Sequence, residues 1–223
     1  MPRDSLPSAS THRPTEWPTW ALIALIYSLW IAALVWFGAQ GGLAPWLFLT
    51  VVSAWYMSLQ HELVHGHPTR FPSLNRVFGL LPLAVWYPFD IYRDSHLAHH
   101  RDELLTFPDK DPESNYMDPP DFAAYSAPLR ALLVAQRTAV GRLCITPAFA
   151  IAKLLQTLAQ RETWRVRSQA WGWVQRLGLL GLLLWGVHAS TGMPVWMYLL
   201  SGYFALGLAC MRSLYEHRPA ARP

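Results

Sequence analysis

From Thr19 to Gly38 (TWALIALIYSLWIAALVWFG) the chain runs twenty residues without a charged side chain. A helix rises 1.5 Å per residue, so such a stretch covers about 30 Å, the thickness of a bilayer's hydrocarbon core. Three more stretches have the same character: Ala44 to Gln60, Leu177 to Val187 with its flanks, and Val195 to Cys210. The second and third lie near the short limit for spanning. Composition agrees: 52% of the residues are hydrophobic, 14% are charged and twelve are tryptophan, whereas soluble domains carry about a quarter charged residues. The expected fold is all-α and integral to the membrane, with about four transmembrane helices and interfacial helices on the cytoplasmic side. Residues 1–18 form a polar N-terminal tail and 19–223 one membrane domain. The polar start is unlike a secretory leader, so the first apolar run reads as an uncleaved span.

The connections orient the spans. GAQGG, between the first two, and ASTGMP, between the last two, carry no Lys or Arg. All eighteen basic residues lie in the N-terminal tail, the long middle segment and the C-terminal end. The positive-inside rule then places both termini and residues from about 61 to 175 in the cytoplasm, as in a bacterial inner-membrane protein. Trp17, Trp20, Trp46, Trp171 and Trp173 suit interfacial anchors. A fifth apolar stretch, Val77 to Tyr87, is short and interrupted by Pro82, so it reads as interfacial or re-entrant. Ala127 to Gln160 mixes apolar residues with Arg130, Arg137, Arg142 and Lys153, the pattern of basic amphipathic helices on a membrane surface. No basic run of nucleic-acid type appears. Cys144 and Cys210 form no C-x-x-C and read as buried, inert thiols, which leaves no iron–sulfur motif.

Chemistry is concentrated in the histidines. Six of the nine fall within forty residues, in HELVHGHP (61–68) and HLAHH (96–100). His61 and His65 are four apart and share a face if the second span continues as a helix. His67 points off that face, and Pro68 follows it. His96, His99 and His100 stand at i, i+3 and i+4, again one side of a helix. Two such helices facing each other gather imidazoles, which suit iron, zinc, copper and nickel alike. Asp90, Asp94, Asp102, Glu103, Asp109 and Asp111 flank the second cluster; most read as a solvated face, with Asp94 or Asp102 as candidates to orient the histidines. His12 reads as a tail residue and His188 as a solvated residue at the far membrane face.

HELVH also spells H-E-x-x-H, in which two histidines bind zinc and Glu62 would be the general base of a protease. That reading leaves HLAHH without a role. Glu62 and His65 spell one E-x-x-H of a carboxylate di-iron bundle, but such a site needs a second copy, and the chain has none. A metal-binding membrane protein without catalysis is the remaining alternative.

H-x-x-x-H at the end of an uncharged span, followed about thirty residues later by H-x-x-H-H, resembles the membrane fatty acid desaturase family. HELVHGHP is similar to its first box, and SHLAHHRDELLTFPDKDPES to its second box and the acidic segment after it. LYEHR, after the last span, is similar to bacterial members. The resemblance runs from the second span to the end. It implies four spans, a cytoplasmic site for two irons, and His61, His65, His96, His99 and His100 as iron ligands. His217 would be a sixth; on its own it reads equally as a juxtamembrane residue. It further implies O2-dependent dehydrogenation of a long acyl chain, held as an acyl lipid or acyl thioester, with electrons from an external donor such as ferredoxin. Alkane hydroxylases and carotenoid hydroxylases or ketolases share the motifs. The family's third box, another H-x-x-H-H after the last span, has no counterpart before Pro223. The expectation is therefore an incomplete desaturase of weak or no activity, through truncation or as a single-metal relative.

Overall fold

The computed structural model describes residues 16–86, 88–101, 117–160 and 166–216, with the backbone alone for 98–101, 157–160, 166–173 and 213–216. Among the described residues there are ten helices and no strands. Four are long: α1 (Trp17–Gln40), α2 (Leu43–Val64), α9 (Val166–Thr191) and α10 (Val195–Glu216). Between α2 and α9 lie α3 (Pro72–Leu80), α4 (Phe89–Arg101), α5 (Pro119–Ala124), α6 (Ala127–Ala135), α7 (Ala139–Cys144) and α8 (Thr146–Gln160).

Each long helix outruns the apolar stretch that announces it. α1 starts at Trp17, inside the expected tail, with Pro18 in its first turn, where the missing N–H costs nothing. α2 continues past Gln60 through His61, because a polar side chain does not stop a helix that is still being packed. The α1–α2 turn uses Gly41 and Gly42 at φ 61° and 88°, a backbone region that side chains disfavour. α1 and α10, the latter over Val195–Arg212, are long and apolar enough to cross a membrane. α2 has the length but is diluted by polar residues: Thr50, Ser53 and Gln60 are all buried in it.

Those polar residues face protein. Helices surrounded by lipid gain little from burying apolar surface against each other, so close packing and interhelical hydrogen bonds hold them. α2 is the central helix, with α1 against one side and α10 against the other. Ile23 and Ile26 of α1 pack with Val52, Tyr56 and Leu59 of α2 in one core cluster. Leu34 and Phe37 join Trp46, Leu49, Val187 and Tyr198 in the other. α2 and α10 run parallel in a constant register: Trp46 Nε1 donates to the Met197 carbonyl at 2.9 Å, and Thr50 Oγ1 to Ser201 Oγ at 3.2 Å, both pairs 151 residues apart. Trp46 is thus a buried bracket on α10, only 8% exposed, and not the interfacial anchor its type suggested. Trp17, 73% exposed, keeps that reading. Trp171 and Trp173 lie where only the backbone is described.

The Pro82 stretch enters the bundle. α3 ends at Leu80, and the chain then runs without helix through Leu83 and Ala84, both buried. Backbone carbonyls freed in such a place need donors. Tyr56 Oη lies 2.9 Å from the Gly79 carbonyl and 2.5 Å from that of Leu81, Gln60 Nε2 donates to Gly79 at 3.0 Å, and Tyr198 Oη donates to Leu83 at 3.0 Å. Trp86 Nε1 donates to the Leu199 carbonyl. At Gly202 a Cβ would stand 2.9 Å from the Ala84 carbonyl oxygen, so glycine lets the loop lie against α10.

α6 to α8 carry the expected basic residues, with Leu132, Val134, Val140 and Leu155 exposed. α7 rests on α10, where Tyr203 Oη donates to the Cys144 carbonyl and a Cβ on Gly207 would meet the Leu143 carbonyl oxygen at 2.5 Å. The thiols are both free, but Cys144 is exposed, contrary to the buried reading.

Candidate metal centre

The register of the bundle brings one end of α2 to the start of α1. Glu16 sits just before α1, and its Oε2 meets His67 Nδ1 at 2.5 Å. His67 thus faces α1 and takes no part in the centre, as its position off the shared face implied. At this end His61 and His65 project from the last turn of α2, with His65 as its C-cap. His96 comes in from α4.

Imidazole nitrogens of His61, His65 and His96 that could hold a metal ion all lie within 4.8 Å of one another. The closest pair, His65 Nε2 and His96 Nε2, is 3.1 Å apart. Ring centroids are 4.7 Å apart for His61–His65 and for His61–His96, and 5.1 Å for His65–His96. His96 is buried at 2% exposure, His61 is partly buried and His65 is exposed, so the cluster opens on the His65 side. Tyr92, one turn before His96, stacks at 5.3 Å and backs its ring.

The surroundings of His61 favour its neutral form. Burial lowers the His61 pKa, and the adjacent His96 and the guanidinium of Arg212 lower it further. Metal ligation needs the unprotonated imidazole, so the same burial that disfavours His61's cation prepares it as a ligand. Arg212 is a residue that motif reading passes over. The 151-residue register of α2 against α10 puts it level with His61, and its signal in the sequence is a cation at the very end of an apolar span.

Several other expectations shift. Glu62 Oε1 lies 3.4 Å from His61 Nδ1 with its side chain 45% exposed, beside one histidine of the cluster. Asp94, a candidate to orient the imidazoles, is paired with Arg93 at 2.8 Å, and its side chain is 55% exposed. Asp90 is held by arginines instead of histidines. His188 is exposed, and its Nδ1 lies 3.0 Å from the Met193 carbonyl oxygen, at the opposite end of the bundle. His99 and His100 lie on α4 where the backbone alone is described, and His12, Asp102, Glu103, Asp109, Asp111 and His217 lie outside the described residues.

The described residues define a class by architecture: a helical bundle with two helices long and apolar enough to cross a membrane and, at one end, a three-imidazole cluster that could hold a metal ion. Within that class the chain is placed by its match to the Fatty acid desaturase family over residues 41–223. That span includes α2, the cluster and everything after it, and the chain belongs to this family. No curated protein and no solved structure matches it.

Proposed function

We propose that this chain is a desaturase-type membrane oxidoreductase whose iron is held by His61, His65 and His96, with His99, His100 and His217 as further donors. The observation that carries this reading is the convergence of three imidazoles from two helices within 4.8 Å, in a chain that matches the desaturase family over 41–223. Three imidazole nitrogens within 4.8 Å of one another fit a single divalent first-row ion; a second iron requires the further histidines. The donor set accepts zinc as readily as iron, and family membership favours iron.

Iron bound here would supply activation of O2 for removing hydrogen from an unreactive C–H bond of an acyl chain. The protein's own residues set the conditions. His96 is buried and backed by Tyr92, so its ring is oriented before a metal arrives. His61 resists protonation. The exposed side, at His65, is where substrate and O2 would approach. Family membership favours an acyl lipid or acyl thioester as substrate, and the electrons come from an external carrier such as ferredoxin. All four long helices span the membrane in this reading, with the cluster and both termini on the cytoplasmic face.

Metal analysis of the detergent-purified chain, with lipid analysis of expressing cells, tests the proposal. Iron that is lost in a His61→Ala/His96→Ala double variant, with few or no new unsaturated acyl chains in wild-type cells, is the expected result, and abundant new unsaturation would overturn the expectation of weak activity. Zinc in place of iron, with proteolysis abolished by Glu62→Gln, would replace it with the protease reading.

A further inference from the structure

The three imidazoles reside on two helices that are secured very differently. α2 is packed on both sides by the bundle. α4 (FDIYRDSHLAHHR) is mostly polar, and among the described residues it packs chiefly on α2 and α3. Tyr92 and Leu97 pack against the core along α4, and two contacts fix its N-terminal turn, from which the position of His96 follows along the helix. The Phe89 ring covers Gly79 so closely that a Cβ there would come within 2.4 Å of it. Beside it, the Asp90 carboxylate, 12% exposed, takes a bidentate pair from Arg76 of α3 (Nε 2.7 Å, Nη2 2.8 Å) and a third bond from Arg176 of α9 (Nη2 2.9 Å). Arg93 Nη1 stands 3.8 Å away, on the same helix. Planar guanidinium forks on a carboxylate define direction as well as distance.

The α3 side of this clamp is also tied to the other two histidines. Gly79, beneath Phe89, gives its carbonyl to Gln60 Nε2 at 3.0 Å and to Tyr56 Oη at 2.9 Å. Gln60 is the residue immediately before His61. A continuous path thus runs from His61 through Gln60 and Gly79 to Phe89 and Asp90, and then along six residues of α4 to His96.

We infer that Asp90 is a positioning residue of the metal centre: by joining Arg76 and Arg176 it holds α4 at the angle and depth that bring His96 onto His61 and His65. The inference rests on the metal reading above. It goes beyond it in assigning the geometry of the centre to a carboxylate whose described partners are arginines. Arg176 belongs to α9, so the clamp also makes the third long helix a part of the site's support.

Cobalt(II) titration of the full chain in detergent micelles tests this, following both affinity and visible d–d absorption, with thermal midpoints measured alongside without metal. Asp90→Asn is expected to weaken cobalt binding about tenfold and to change the absorption envelope, while Asp90→Glu restores much of both. Arg176→Gln leaves the Arg76 pair in place and serves if Asp90→Asn does not fold; it should show the same spectral change at smaller loss of affinity. Variants with lowered thermal midpoints but wild-type cobalt affinity and spectrum would show the clamp to be structural only and overturn the inference. A wild-type chain that binds no cobalt would overturn the metal reading itself, and the positioning role with it.

Discussion

At the residue scale, each histidine's role follows from which face of a short helical turn it occupies. His61 and His65 share a face and converge with His96; His67, two residues further, turns to Glu16. His96→Ala and His65→Ala should each abolish metal retention through purification. His67→Ala should leave metal per chain unchanged, by elemental analysis, because it removes only a contact to α1. Asp90 shows how a single carboxylate links pH to stability. Burial alone would raise its pKa, but the hydrogen bonds and charges of Arg76 and Arg176 outweigh that and hold it at about 2. A carboxyl depressed on folding stabilises the fold at any pH above its unfolded value, and that contribution disappears as pH falls through the folded value. Between pH 4 and 2 the wild type should therefore lose about 2 kcal/mol more than Asp90→Asn. Detergent unfolding curves across that window would show it; parallel pH profiles for the two proteins would count against the clamp.

At the element scale, the bundle is held by polar brackets between apolar helices. Tyr198 is the clearest: its hydroxyl accepts from Trp30 Nε1 at 3.1 Å and donates to the Leu83 carbonyl at 3.0 Å, joining α1, α10 and the entering loop. Tyr198→Phe leaves a buried carbonyl and an indole N–H without this partner. It should cost about 1–3 kcal/mol, read as a lower unfolding midpoint, with metal binding retained because the cluster sits at the other end of this loop's contacts. The loop itself stores strain: Val85, a β-branched residue, has φ 66°, a conformation that only surrounding contacts sustain. α2 carries many of these brackets and, as its continuation past Gln60 was expected to do, brings His61 and His65 into the site.

At the scale of the whole molecule, the ends of the bundle differ in chemistry. The α1–α2 turn lies beside the α9–α10 turn, since a Cβ on Gly38 would touch Thr191 Cα at 3.4 Å. Both turns lack basic residues. The other end holds the start of α1, the three imidazoles and the arginine clamp. With Cys144 and Cys210 replaced by serine, Ala189→Cys should react with an impermeant maleimide in intact cells, and Arg70→Cys only after permeabilisation. The reverse pattern would invert the proposed orientation. A belt of outward residues, among them Ile31, Val35, Val51, Leu182 and Trp185, is exposed along the long helices, where lipid would cover it.

Much of this was legible in the sequence. Uncharged runs of bilayer length marked the long helices because a backbone in lipid must satisfy its own hydrogen bonds. Spacings of three and four residues marked the histidine faces, because helical periodicity is a local property. The family resemblance rested on the same two boxes, and the match over 41–223 agrees with it. What the sequence could not supply were relations between elements distant along the chain. Trp46 turning inward onto Met197, Asp90 lying between Arg76 and Arg176, and Arg212 standing level with His61 all depend on how α2, α3, α9 and α10 pack. Local pattern determined which side chains could bind a metal; only the tertiary structure decided which of them meet, because that depends on interhelical register.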